Sequence, residues 1–249
     1  MPFGRENDLC AVLGRSLDGL FGRSGSEQHS RALRHRSVGQ VIPDFLYIRS
    51  DLTPEPNRIR GLSALEASVV AALLPGRPRR SGAIARQLYS RIERVAPRLR
   101  LLEKWGLLES VGDDAFCLRS ELNWWSVHVV AVEAKLRRWR EALHQAASYL
   151  RFANQSYVAL PSAVVNGNGA LAAEAAKARV GVVVVDEEGA RVVEEAPVSA
   201  TWSADRVWLL SRTVGLSTRA TTPATNTALE SVSRTRAANR ADDLSLCVR

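Results

Sequence analysis

The 249-residue chain reads as an α/β protein whose sheet is interrupted by a helical insertion, and three observations lead there. After residue 125, short apolar runs alternate with helical stretches: SVHVVAVEAKL (126–136), LRRWREALHQAASYLRFANQ (136–155), SYVALP, a loop plus helix, then VGVVVVD (180–186). Strand, helix, strand, helix, strand implies parallel crossovers and a sheet covered on both faces. Between residues 57 and 120 the texture changes to short basic helices followed by a hairpin pattern. Finally, 46% hydrophobic and 24% charged residues are enough to bury a core at this length.

The elements follow in order. Leu9, Val12, Leu13, Leu17, Leu20 and Phe21 recur at helical spacing and predict an amphipathic helix over 5–22, ended by Gly22. Residues 23–39 are polar and rich in Gly, Ser and Arg, which predicts a loop. VIPDFLYI (41–48) predicts a strand, with Pro43 placing it at an edge or bulge and Asp44 within it. DLTPEPN (51–57) reads as a linker. LSALEASVVAALL (62–74) predicts a helix whose Ser63 and Glu66 form a capping box. SGAIARQLYS (81–90) and ERVAPRLRLLEKWGLLES (93–110) predict two more, the latter interrupted near Pro97. A turn at Gly112-Asp113-Asp114 joins LLESV to AFCLR as a hairpin. After the strand at 180–186, ARVVEEAP turns back and 203–215 predicts a last helix. From Leu216 the Thr/Ala/Arg/Ser composition predicts a disordered tail.

Three short helices followed by a two-stranded wing is the winged-helix layout, a relative of helix-turn-helix DNA binders. Residues 57–120 carry twelve Lys or Arg against six Asp or Glu, so they supply +6 of the chain's +8. The excess is arginine: 31 of the 34 basic residues, the lysines being Lys104, Lys135 and Lys177. Guanidinium forks match phosphate oxygens, and Arg79, Arg80, Arg86, Arg91, Arg94 and Arg98 are the expected nucleic-acid contacts. An arginine- and alanine-rich composition also follows from a GC-rich genome, so charge alone does not choose between the two.

Some classes are excluded. No apolar run approaches the roughly 20 residues of a membrane span. Arg5, Glu6, Asp8, Arg15 and Asp18 interrupt any signal core, and a cytoplasmic protein without membrane contact is expected. Cys10, Cys117 and Cys247 are odd in number and lack a CxxC, which argues against a disulfide framework or zinc site. His29, His35, His128 and His144 share no ligand spacing, and His128 reads as a core residue. Gly167-Asn168-Gly169 is too short for a nucleotide fingerprint. Trp124-Trp125 reads as packing.

Chemistry concentrates at Glu133-Ala134-Lys135, at the end of a buried strand, where alternation puts Glu133 and Lys135 on one face. With a second acid and a main-chain carbonyl, such a site offers oxygen ligands suited to Mg²⁺, and the lysine can orient or deprotonate a water. Asp44 after Pro43 supplies that acid. The following helix carries Gln145 and Tyr149, four apart and therefore on one face.

In IPDFLYI, VVAVEAKL and WREALHQAASYLRFANQSYVALP the chain resembles the PD-(D/E)xK nuclease superfamily, in its RecB-like branch with a QxxxY motif. The resemblance covers residues 1–48 and about 121–195. It implies a restriction-endonuclease-like mixed sheet flanked by helices. Asp44 and Glu133 would bind Mg²⁺ (or Mn²⁺), Lys135 would position the water, and Gln145 and Tyr149 would contact phosphate or buttress the site. Glu6 or Glu27 could match an additional acid on the first helix. One departure stands out: 89 positions separate Asp44 from Glu133, where the family has a short hairpin. Removing residues 57–120 leaves 25, an ordinary connection. Either a domain is inserted there, or Asp44 is not the acid and Glu121, Asp113 or Asp114 replaces it.

The expected organisation is a nuclease-like part at 1–56, a winged helix at 57–120, a second nuclease-like part at 121–215 and a tail at 216–249. The expected function is metal-dependent hydrolysis of DNA phosphodiesters. The alternative is a metal-free scaffold with a winged helix that regulates through DNA, for which a homodimer is an open option.

Overall fold

The computed structural model describes residues 3–22, 29–50, 61–119 and 126–213. Helix α1 (Glu6–Phe21) buries Leu9, Cys10, Val12, Leu13, Leu17 and Phe21, the stripe its periodicity predicts. Strands β1 (His29–Arg34) and β2 (Phe45–Ser50) follow. The insertion comprises α2 (Ala64–Ala71), β3 (Arg79–Arg80), α3 (Ser81–Gln87), α4 (Ile92–Lys104), β4 (Leu108–Ser110) and β5 (Ala115–Leu118). Then come β6 (His128–Ala134), α5 (Trp139–Tyr149), β7 (Gln155–Pro161), α6 (Ser162–Asn166), α7 (Leu171–Ala178), β8 (Gly181–Val185), β9 (Ala190–Glu194) and α8 (Ala204–Thr213).

Six strands make one mixed sheet in the order β1-β2-β6-β7-β8-β9. The outer pairs β1/β2, β2/β6 and β8/β9 are antiparallel, while β6, β7 and β8 run parallel, with α5 between the first two and α6 and α7 between the second. Strand residues divide by parity between the two faces. Val130, Val132 and Ala134 of β6 pack with Phe45, Tyr47 and the apolar stripe of α1. Val129 and Ala131 point the other way, toward Tyr149, Phe152 and α8.

The insertion leaves the sheet after β2 and returns at β6, its immediate neighbour. Inside it, β3, β5 and β4 form a small antiparallel sheet beside three helices. Helix α2 starts as its capping box requires: Ser63 Oγ accepts from Glu66 N at 3.3 Å, and Glu66 Oε2 accepts from Ser63 N at 2.8 Å. The core does not stop at the insertion. One apolar cluster runs from Val69, Val70, Ile84, Leu99 and Leu102 through Val207 and Leu210 of α8 to Ile48, Val129 and Ala131 in the large sheet. Accordingly, the described residues belong to one compact unit.

Helix α8 is tied down by a buried cation. Arg206, 2% exposed, donates to the Phe152 carbonyl at 3.0 Å and the Val127 carbonyl at 2.6 Å. Burial pushes its guanidinium down to about 10.

Several expectations are corrected. Residues 29–34, read as loop, form the edge strand β1: HSRALR is polar because most of its side chains face water. Pro43 precedes β2 rather than interrupting it, and β1 covers that edge. Arg79–Arg80, between two predicted helices, form a short strand that pairs with β5. Helix α4 continues through Pro97, which is exposed, so the missing backbone bond falls on the solvent side. The helix predicted before the strand at 180–186 closes at Arg179, with φ of 59°, and Gly181 opens β8, where a Cβ would lie 2.4 Å from the Tyr157 ring. The linker at 51–57, the boundaries near 56 and 120, Trp124-Trp125 and the tail from 216 lie outside the described residues. Among those described, no helix is long and apolar enough to cross a membrane.

Replacing Arg206 with Met keeps the bulk but strips two buried carbonyls of a charged donor. The fold is expected to lose about 3 kcal/mol, measured as a lower urea midpoint with unchanged slope.

Candidate active site

Strand register brings the two motif acids together. The β2–β6 register ends with Phe45 opposite Val132, and Asp44, in the bend just before β2, lies close enough for its charge to act on Glu133. Glu133 shares the face of Ala131, the face from which Tyr149 of α5 reaches it. Asp44 Oδ2 accepts from the Ala134 N–H at 2.8 Å, which ties the end of β2 to the end of β6.

Glu133 is 3% exposed. The Tyr149 hydroxyl donates to its Oε2 at 2.6 Å, and the Lys135 ammonium lies 3.0 Å from its Oε1. Burial raises the Glu133 carboxyl above the ordinary range, with the Asp44 charge adding to that, against the opposing pull of Tyr149 and Lys135. Burial presses Lys135 downward, but the hydrogen bond and charge of Glu133, helped by Glu6 and Asp44, outweigh it and lift the ammonium above its usual value. Lys135 is therefore a held cation, better suited to orienting a water than to removing its proton.

Of the remaining motif residues, Tyr149 is buried and touches Glu133, while Gln145 reaches neither acid. The Gln145 Oε1 is buried with no hydrogen-bond partner among the described residues. Glu6 on α1 stands 4.0 Å from the Lys135 ammonium. Its competitor Glu27, and the substitute acid Glu121, lie outside the described residues. Asp113 and Asp114 sit in the turn between β4 and β5, where Asp114 accepts from the Ser81 hydroxyl.

Two residues at this end of the sheet had no sequence signal. His35, directly after β1, has φ of 48°; its Nε2 lies 3.3 Å from Asp44 Oδ1, and its N–H donates to the Asp44 carbonyl at 3.0 Å. A lone histidine in an RHR run carries no spacing cue, and the strand leading to it reads as loop. Exposed Arg34 donates to Asn7 Oδ1 of α1 at 3.1 Å and lies over the Phe45 ring. Cys10, close enough to feel Asp44 and Arg34, has its thiol pushed up to about 11, mainly by burial, so it offers no thiolate at neutral pH. Among the other histidines, His128 Nε2 meets Gln155 Oε1 at 2.8 Å within the sheet.

As donors, Asp44 and Glu133 present hard carboxylate oxygens, a chemistry that fits Mg²⁺ or Mn²⁺, ions that complete their shells with water. No group of three or more His, Cys, Asp or Glu suited to a metal gathers among the described residues. An ion there would rest on those two acids, backbone oxygen and water. Comparison with family models, curated proteins and solved structures finds no significant match.

On the insertion, Arg80, Arg86, Arg91 and Arg94 are exposed and free of ion pairs among the described residues. Arg79 is held by the Ala72 carbonyl (2.9 Å) and Gln87, and Arg98 by buried Glu66 at 3.2 Å. Arg91, Arg94 and Arg98 nevertheless fall at i, i+3 and i+7 along one side of α4.

The Glu133 shift has a sign. An acid whose folded value is raised stays protonated in a window above its ordinary value, so the folded state loses stability as pH rises through that window while gaining the carboxylate a cation needs. Tyr149→Phe removes a bond that favours the carboxylate. The onset of Mn²⁺ binding, followed by calorimetry across pH, is expected to move to higher pH.

Proposed function

We propose that this chain is a metal-dependent nuclease of the PD-(D/E)xK kind, with a restriction-endonuclease-like sheet, that hydrolyses DNA phosphodiesters, and that its insertion is a winged helix supplying affinity for DNA. The observation that carries the reading is the approach of Asp44 to Glu133 and Lys135 from 89 residues away, with Asp44 bonded to the Ala134 N–H between them.

Asp44 and Glu133 would hold Mg²⁺ or Mn²⁺, which when bound supplies positive charge against the phosphate. Lys135, fixed by Glu133, orients the attacking water through its remaining N–H groups. Tyr149 keeps the Glu133 carboxyl aimed and favours its ionised form. Arg34, exposed at the same end of the sheet, offers a bidentate contact for a neighbouring phosphate. For the insertion, the order of helices and strands and the unpaired arginines of α3 and α4 support duplex binding, with α4 in the position of a recognition helix.

One observation favours the second reading, a metal-free scaffold whose insertion regulates through DNA. Both Glu133 oxygens and both Asp44 oxygens already have protein partners. In this reading those bonds are structural.

Incubation with plasmid in Mg²⁺ or Mn²⁺ separates the two. Under the nuclease reading Glu133→Ala and Lys135→Ala each lower cleavage by on the order of 10³-fold while DNA affinity is kept. Cleavage by Glu133→Ala at the wild-type rate sinks the assignment. The arginines have their own readout: Arg91→Ala with Arg94→Ala is expected to reduce the slope of log affinity against log salt by about two.

A further inference from the structure

We propose that Tyr89, in the turn between α3 and α4, is a stacking platform for an unpaired base, so that the chain binds DNA with a single-stranded segment in preference to blunt duplex. The proposal rests on the reading of the insertion as a DNA-binding element.

The helix end at Tyr89 is built in a recognisable way. The Tyr89 N–H bonds to the Arg86 carbonyl at 3.1 Å, and the Ser90 N–H to the Ala85 carbonyl at 3.0 Å. That pair of bonds is the Schellman motif, which requires a left-handed residue just past the helix and normally uses glycine there. Helix α4 closes in the same way: Gly106, with φ of 72°, bonds to Glu103 at 2.8 Å and Leu107 to Leu102 at 3.0 Å. Tyr89 takes the glycine's place with φ of 47°. A side chain at that angle crowds its own backbone.

Nothing in the fold compensates. Tyr89 is 100% exposed, so its ring packs on no neighbour and stabilises no core. Arg179 also occupies a left-handed cap, but it leaves a charged group in water rather than an aromatic ring. A left-handed position that carries a non-glycine residue with a wholly exposed ring fits a contact surface.

The surroundings name the partner. Exposed Arg86 lies one turn before Tyr89, and exposed Arg91 and Arg94 follow on the start of α4. Arg86 also lines a surface concavity of about 450 Å³ with Arg79, Arg80 and Asp114. An exposed aromatic ring flanked along the chain by three exposed arginines, against one acid (Glu93), matches a polyanion that carries flat apolar faces, which is a nucleic-acid strand. Both ring faces are open, and in a duplex the base faces are closed by their neighbours. An unpaired base is the group that can cover the ring.

The test uses the full chain, with Tyr89→Gly as the decisive variant, because glycine suits the backbone and removes the ring. Fluorescence anisotropy is measured with three labelled probes: a single strand, a duplex with an overhang, and a blunt duplex of the same sequence. Tyr89→Gly is expected to keep or raise the melting temperature and to weaken the single-strand and overhang probes roughly tenfold. Blunt duplex affinity and the salt slope stay as in wild type, since no phosphate contact is lost. Tyr89→Phe retains most of the affinity. Wild-type affinity of Tyr89→Gly for every probe, or equal loss on blunt duplex, overturns the proposal while leaving the arginine contacts standing. If wild type binds none of the probes, the DNA-binding reading itself fails.

Discussion

A carboxylate buried at the end of a central strand organises much of this molecule. Glu133 is placed among apolar residues, where an isolated charge is strongly disfavoured, and it is tolerated because two donors meet it. One comes from the helix that crosses over β6 and the other from two residues along the chain. Those bonds fix how α5 lies on the sheet and where the Lys135 ammonium stands. The same burial that makes Glu133 hard to ionise makes its partners indispensable.

The second constraint is strand adjacency. Because β2 and β6 are neighbours, everything between them must leave the sheet and come back to the same edge of the same pair. The excursion is accommodated by sharing apolar surface: α2 packs on α8, and the cluster continues into the sheet beneath Tyr149 and Phe152. Arg206 completes the arrangement by serving two carbonyls that the loops before β6 and after α5 would otherwise leave unpaired. The insertion is thus part of the core that supports the site.

The electrostatics narrow the chemistry. A lysine held charged, a tyrosine that donates, and a cysteine kept as thiol leave no ready amine or thiolate nucleophile at this end of the sheet. Carboxylates, an ammonium and nearby arginine instead suit the orientation of water and the binding of an anion, which is the setting the nuclease reading requires. The helix caps of the insertion add a separate clue, since one of two equivalent turns uses glycine and the other tolerates strain to display a ring.

The residues themselves announced the alternating core of β6 to β8, the α1 stripe and the Ser63–Glu66 cap, because each depends on neighbours a few positions apart. Polar edge strand β1 was hidden, since an edge exposed to water needs no apolar alternation. The PD, ExK and QxxxY residues were visible as a pattern, but their meeting was not: a hydrogen-bonded register across 89 residues brought Asp44 to Glu133. His35 and Arg34 joined that end of the sheet through β1, and Gln145 fell short of it. Local spacing specifies helices, strands and caps, because those forces act within a turn or two. Which distant side chains share a site is decided by strand order and by the burial that closes it.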